Sequence, residues 1–317
     1  VDLIREFCSE RAFELVHPSR GSGDGSLLQR GVSRLLGDSP ATFVSAYKYH
    51  IRPATDASPY FGRFFRWSSL PELLDLRGRG GTSLIQWGYL IMVATVLQAG
   101  AAGVVLILLP LFVFHRSGRA WPHKGRAVLA FACLGLGFLF VEIAFIQRLT
   151  LFLGDPVLAA SVALASFLVF AGAGSWLSRL FGLNRAVAGV CLANLLLLAG
   201  LLLPVQALTG LAWPLKLFLS VAGCGLPAFF MGMPLPLGLD IVHGQAPRWI
   251  PWAWGVNGCA SVIAPVLATL LAVHLGFVPI VLLACALYLV VLAALRGMRP
   301  AAAPSDQAGA RPDPVGQ

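Results

Sequence analysis

Seven stretches of this chain are each long and apolar enough to cross a bilayer, and they constrain the fold more than any motif. They run roughly over residues 88–114, 127–147, 157–178, 186–208, 216–238, 254–275 and 277–296. A hydrocarbon core takes about 20 residues of helix to span. Inside it every backbone N–H and C=O must be satisfied within the segment or by a closed barrel. The runs show no apolar–polar alternation of period two, which sets the barrel aside. The sequence therefore predicts an all-α membrane protein. Composition agrees: 12% of residues are charged, against about a quarter in a soluble domain.

Residues 1–87 read differently, with Pro, Gly, Ser and most of the acids, and predict a short, mixed α/β soluble segment. Residues 297–317, rich in Ala, Pro and Gly, predict a disordered tail. The first residue is Val1 and no basic-then-apolar leader follows, so we expect a piece of a longer protein.

The net charge of +9 needs no nucleic-acid partner. Lys and Arg sit in the short loops between apolar runs, which is how membrane helices are oriented. With seven spans, one side holds Arg116, Arg119, Lys124, Arg126, Arg179, Arg185, Arg248, Arg296 and Arg299. The other holds Arg77, Arg79, Arg148 and Lys216. The richer side should face the cytoplasm, which puts residues 1–87 outside.

Three features are weighed and set aside. GSGDG (21–25) has the look of a nucleotide loop, but only FELVHPSR precedes it and too few residues follow for a doubly wound domain. The six cysteines form no CxxC or Cys/His pair and read as small buried apolar residues, so no metal site is expected. Serine-nucleophile and Walker motifs are absent, and no catalytic residue is assigned. The stretch PATDASPYFGRFFRW (53–67) mixes turn formers, aromatics, Arg63 and Arg66, as a linker at the membrane interface does.

The site candidates are polar residues in apolar surroundings. Glu142 lies about 22 Å along its run at 1.5 Å per residue, too deep to snorkel. An ionised acid there costs at least about 2.5–3.5 kcal/mol on insertion scales. Gln147 and Arg148 follow near the end of the same run, and Arg148 shares a helix face with Asp155 if the helix continues that far. Asn257, in a run rich in Gly and Ala, is the expected hydrogen-bond partner of Glu142. A packing bond between the two and a ligand or proton site both remain open. Gly232, Pro234 and Pro236 break the helix over 216–238. Broken helices expose backbone groups at transporter sites, although neighbours can equally absorb a kink.

Several motifs together resemble one family. PATDASPYFGRFF (53–65), LGLGFLFVEIAFIQRLTLFLGDP (134–156), FAGAGSWLSRL (170–180), LPAFFMGMPLPLG (226–238) and WAWGVNGCASVIAP (252–265) resemble the C-terminal membrane half of bacterial polytopic spermidine synthase-like (S-adenosylmethionine-dependent methyltransferase-like) membrane proteins. In the linker, Asp56-Ala57-Ser58-Pro59 stands where that family has Asp-Asp-Arg-Pro. The same helices resemble the six-helix half of fused major-facilitator/spermidine synthase proteins.

The resemblance implies residues 1–52 as the tail of an upstream transferase-like domain, 53–87 as interfacial linker, 88–114 as a tether helix and 127–296 as a six-helix, half-transporter-like unit. It implies an inner-membrane protein that anchors a transferase-like domain and channels its substrate or product. The alternatives are a transporter-like unit for an amine or other small solute, and an anchor without ligand. Any S-adenosylmethionine or decarboxylated S-adenosylmethionine would belong to the upstream domain. Such a domain belongs in the cytoplasm, against the charge count. The conflict is relieved if the first run does not cross or if 216–238 is re-entrant.

Overall fold

The computed structural model describes residues 27–37, 40–47, 51, 66, 68, 84–114, 121–201 and 210–298. The GSGDG loop, nearly all of the 53–67 linker and the 299–317 tail lie outside the described residues. All regular elements among those described are helical. Six helices are long and apolar enough to cross a membrane. The strands of the expected α/β segment do not occur among the described residues.

The chain divides into two compact units, residues 1–91 and 92–317. In the first, helices α1 (Leu27–Leu35) and α2 (Pro40–Ala46) pack together. The Arg34 guanidinium lies 5.9 Å from the Phe43 ring centroid. Arg66 donates to the Ser45 and Val44 carbonyls, closing the end of α2.

The second unit is a helical bundle. Helix α3 (Leu84–Gly103) continues through a π-helical turn (Val104–Leu108) into α4 (Leu109–Phe114). Only 6% of its most apolar stretch is buried. The rest of the bundle comprises α5 (Lys124–Leu153), α6 (Pro156–Leu201), α7 (Trp213–Met231), α8 (Pro234–Gln245), α9 (Ile250–Leu275) and α10 (Phe277–Arg296). Helix α5 is central, with 61% of its most apolar stretch buried.

Local chemistry sets the ends of α5 and α6. Gly154 adopts φ 77°, a left-handed C-cap whose N–H reaches the Thr150 carbonyl. Asp155 then caps α6: its Oδ1 accepts from the Val157 and Leu158 N–H groups at 2.8 and 3.1 Å. The expectation that Asp155 shares a face with Arg148 is thereby corrected, because the helix stops between them and the carboxylate serves the next one.

Helix α6 has 46 residues, about 69 Å if straight, twice a bilayer core. It is not straight. Gly182 sits at φ 70°, ψ 164°, outside helical geometry. Ala171 and Asn194 lie 23 residues apart, yet both meet the same short segment. A Cβ on Gly232 would collide with the Ala171 carbonyl. The Asn194 Nδ2 lies 4.0 Å from the Met231 Sδ. Only a hairpin at Gly182 allows both contacts, since 23 residues of continuous helix span about 35 Å.

Polar contacts sort the helix ends into two groups. At one end Arg126 donates to the Gly297 carbonyl and Gln245 to that of Met298. Arg296 donates to Asn184 at 2.9 Å, and Arg179 pairs with Asp240 at 3.4 Å. Phe112, Trp252, Trp249 and Trp121 contact one another in succession, edge-to-face or tilted, near the start of α9. At the far end of α5, the Lys216 ammonium lies 5.9 Å from the Phe152 ring centroid. The broken helix α7–α8 therefore runs the full length of the bundle, from Lys216 to Asp240. The re-entrant reading of 216–238 is corrected: Pro234 and Pro236 interrupt the hydrogen bonding, but the second half resumes in the same direction.

Candidate functional site

The break between α7 and α8 follows from proline chemistry. Pro234 and Pro236 have no N–H, so the Phe230 and Gly232 carbonyls lose their usual donors four residues on. The Met233 N–H turns back to Phe230 at 3.2 Å, and Leu237 bonds Met233 at 3.4 Å. Gly232 is required for packing as well, because any Cβ there would meet the Ala171 backbone. Pro227, by contrast, is accommodated inside α7.

A pocket of about 260 Å³ opens beside this break. Helix α5 contributes Leu134, Gly135, Phe138 and Leu139, and α9 contributes Asn257 and Ser261. Met231, Gly232 and Leu235 form the wall at the break, with Ala171 and Ser175 from α6 and Tyr288 from α10. Gly135 makes the close approach of α5 and α9 possible: a Cβ there would lie 2.5 Å from the Asn257 carbonyl oxygen and 2.9 Å from the Ser261 Oγ.

The polar groups around the pocket are not all satisfied. Asn257 donates through Nδ2 to the Phe131 carbonyl at 3.2 Å. Tyr288 is 1% exposed, and its buried hydroxyl has no hydrogen-bond partner among the described residues. Behind Met231, the Asn194 side chain is fully buried. Its Nδ2 donates to the Val190 carbonyl at 2.9 Å, while its Oδ1 has no partner among the described residues. Buried polar atoms without partners are rare, and each calls for a physical reason.

Two of the sequence candidates, Gly232 and Asn257, thus meet in one pocket, with Pro234 and Pro236 setting its backbone. Glu142 is 8% exposed, one turn beyond Phe138 on α5 and within electrostatic reach of Cys224. Among the described residues no hydrogen bond or ion pair involves its carboxyl group. The expected Glu142–Asn257 bond is corrected. Asn257 is committed to Phe131, eleven residues and about 16 Å back along α5. Gln147 and Arg148 are half-buried farther along α5 and do not border the pocket.

Sequence reasoning missed Tyr288 and Ser175. Tyr288 had a visible signal, being the sole tyrosine in its apolar run. Among the described residues no cluster of His, Cys, Asp and Glu is arranged to hold a metal ion. Compared with protein-family models, with curated proteins and with solved structures, the chain matches none.

Proposed function

We propose that this chain is the membrane module of a spermidine synthase-like protein and that it handles a small solute within the bilayer. The observation that carries the reading is the pocket at the α7–α8 break. It is bordered by Gly232, whose carbonyl lacks its usual donor because residue 236 is proline, and by Asn257, Ser175 and Ser261, at a depth where polar groups are costly. A bare anchor has no use for such groups, whereas solute sites in transporters are built from interrupted helices. The Glu142 carboxyl one turn away, without a hydrogen bond or ion pair among the described residues, supports the same choice, since intramembrane acids mark solute or proton pathways.

The hairpin at Gly182 supports seven crossings: the α3–α4 tether, α5, the two arms of α6, α7–α8, α9 and α10. The last six form the unit around the pocket. The end that gathers Arg126, Arg179 and Arg296 faces the cytoplasm, in keeping with the distribution of basic loops. A bacterial inner membrane and an upstream transferase-like domain belong to this proposal through the resemblance, and seven crossings with the basic end inside put that domain on the outer side.

A thermal-shift screen of the detergent-purified chain tests it, with spermidine, putrescine, S-adenosylmethionine, methylthioadenosine and uncharged analogues as probes. Stabilisation by any of them, lost on filling the pocket through Ser175→Leu, supports solute handling. A flat screen across the panel leaves the anchor. Stabilisation by a polyamine that Glu142→Gln abolishes would make the acid its counter-charge.

A further inference from the structure

We infer that the pocket takes an uncharged, partly apolar molecule and discriminates against cations of the same shape. This rests on the reading of the pocket as a ligand site. Among the described residues, the side chains that border it include no Asp, Glu, Lys, Arg or His. Its polar groups are Ser175, Ser261, Asn257 and Tyr288, all neutral, set among Leu134, Phe138 and other apolar side chains.

An ammonium group entering such a site gives up its hydration and finds no carboxylate in the wall. An anion finds no guanidinium or ammonium. A neutral ligand loses far less on leaving water and recovers it through apolar contact and hydrogen bonds. Glu142 does not alter this balance, because it lies one turn beyond Phe138 and does not border the pocket.

The bonding capacity of the wall narrows the ligand further. The Asn257 amide already donates to Phe131. The Gly232 carbonyl lacks its usual donor because residue 236 is proline. A small alcohol or amide brings a donor for the Gly232 carbonyl and an apolar part for the rest of the wall. The volume of about 260 Å³ lies just under the range of drug-sized sites, so the ligand is small.

Matched isosteres that differ in charge provide the test. Thermal shifts of the purified chain are measured with benzyl alcohol against benzylamine, and 1,4-butanediol against putrescine, at equal concentration and neutral pH. The uncharged member of at least one pair should raise Tm while its ammonium partner does not. Ser175→Leu, which fills the pocket, should abolish that shift.

A charged member that stabilises as well as or better than its uncharged partner, in a manner sensitive to Ser175→Leu, overturns the inference and leaves the pocket as a cation site. No stabilisation by either class, or stabilisation that survives Ser175→Leu, overturns the inference together with the ligand-site reading.

Discussion

The side-chain amide of Asn257 donates to the Phe131 carbonyl at 3.2 Å, which ties α9 to α5 about 16 Å away from Glu142. Glu142 is therefore not the glue between these helices. It is buried with no polar partner among the described residues, so removing its charge breaks no bond.

The first prediction follows. Glu142→Gln should leave thermal stability unchanged to within about 1 kcal/mol, or raise it, because an unpaired buried acid is a net cost. Unfolding of the purified variant in detergent checks this. A loss above about 2 kcal/mol would mean that the carboxyl group is held by a bond of the kind it replaces.

Two glycines on the first arm of α6 offer a matched pair. A Cβ on Gly174 would collide with the Phe229 carbonyl, whereas one on Gly172 meets nothing within 4 Å. Gly174→Ala should destabilise by about 1–3 kcal/mol, the usual cost of overpacking. Gly172→Ala should be neutral or stabilising by up to about 1 kcal/mol, since alanine is the better helix former. Equal effects at the two positions would remove the close α6–α7 contact.

The hairpin at Gly182 predicts sidedness. Cysteines placed at Asn184 and Gln245, in a background without other reactive thiols, should be labelled by an impermeant maleimide from the same face of the membrane. A cysteine at Asp155 should be labelled from the opposite face. Labelling of positions 155 and 184 from one face would mean that the first arm of α6 does not cross, and the count of seven would fall.

The Arg179–Asp240 pair is 3.4 Å long, and both side chains are largely exposed. Exposed ion pairs contribute little. Asp240→Asn should change stability by less than about 1 kcal/mol in a denaturation experiment at moderate salt. A larger loss would show that the pair helps to hold the hairpin turn against α8.

Much of the fold was legible in the apolar runs, because lipid forces every backbone group into a helix whatever the side chains are. The separation of 157–178 from 186–208 was also legible, since polar residues around Arg179, Asn184 and Arg185 interrupt the apolar text. In the structure that interruption is the non-helical Gly182 between two arms that turn back on each other. The break at Pro234 and Pro236 was equally plain, because a proline without an N–H ends a helix by chemistry alone. Whether the broken helix continued or returned was not plain, and the re-entrant reading failed on that point.

Partners were the least legible. In a soluble helix the apolar stripe marks the inward face. In a membrane helix the lipid-facing side is apolar too, so the pattern does not say which face is buried. Hence the sequence could single out Glu142 and Asn257 as costly residues but could not pair them correctly. It also passed over Tyr288 as one more aromatic. The sequence by itself determined helices, their approximate ends and the place where one must break, since these depend on local backbone chemistry and on the lipid. Only the tertiary structure decided that Gly135 brings α9 against α5, that Tyr288 borders the pocket beside the break, and that Glu142 has no polar partner among the described residues, since these depend on which helix faces which.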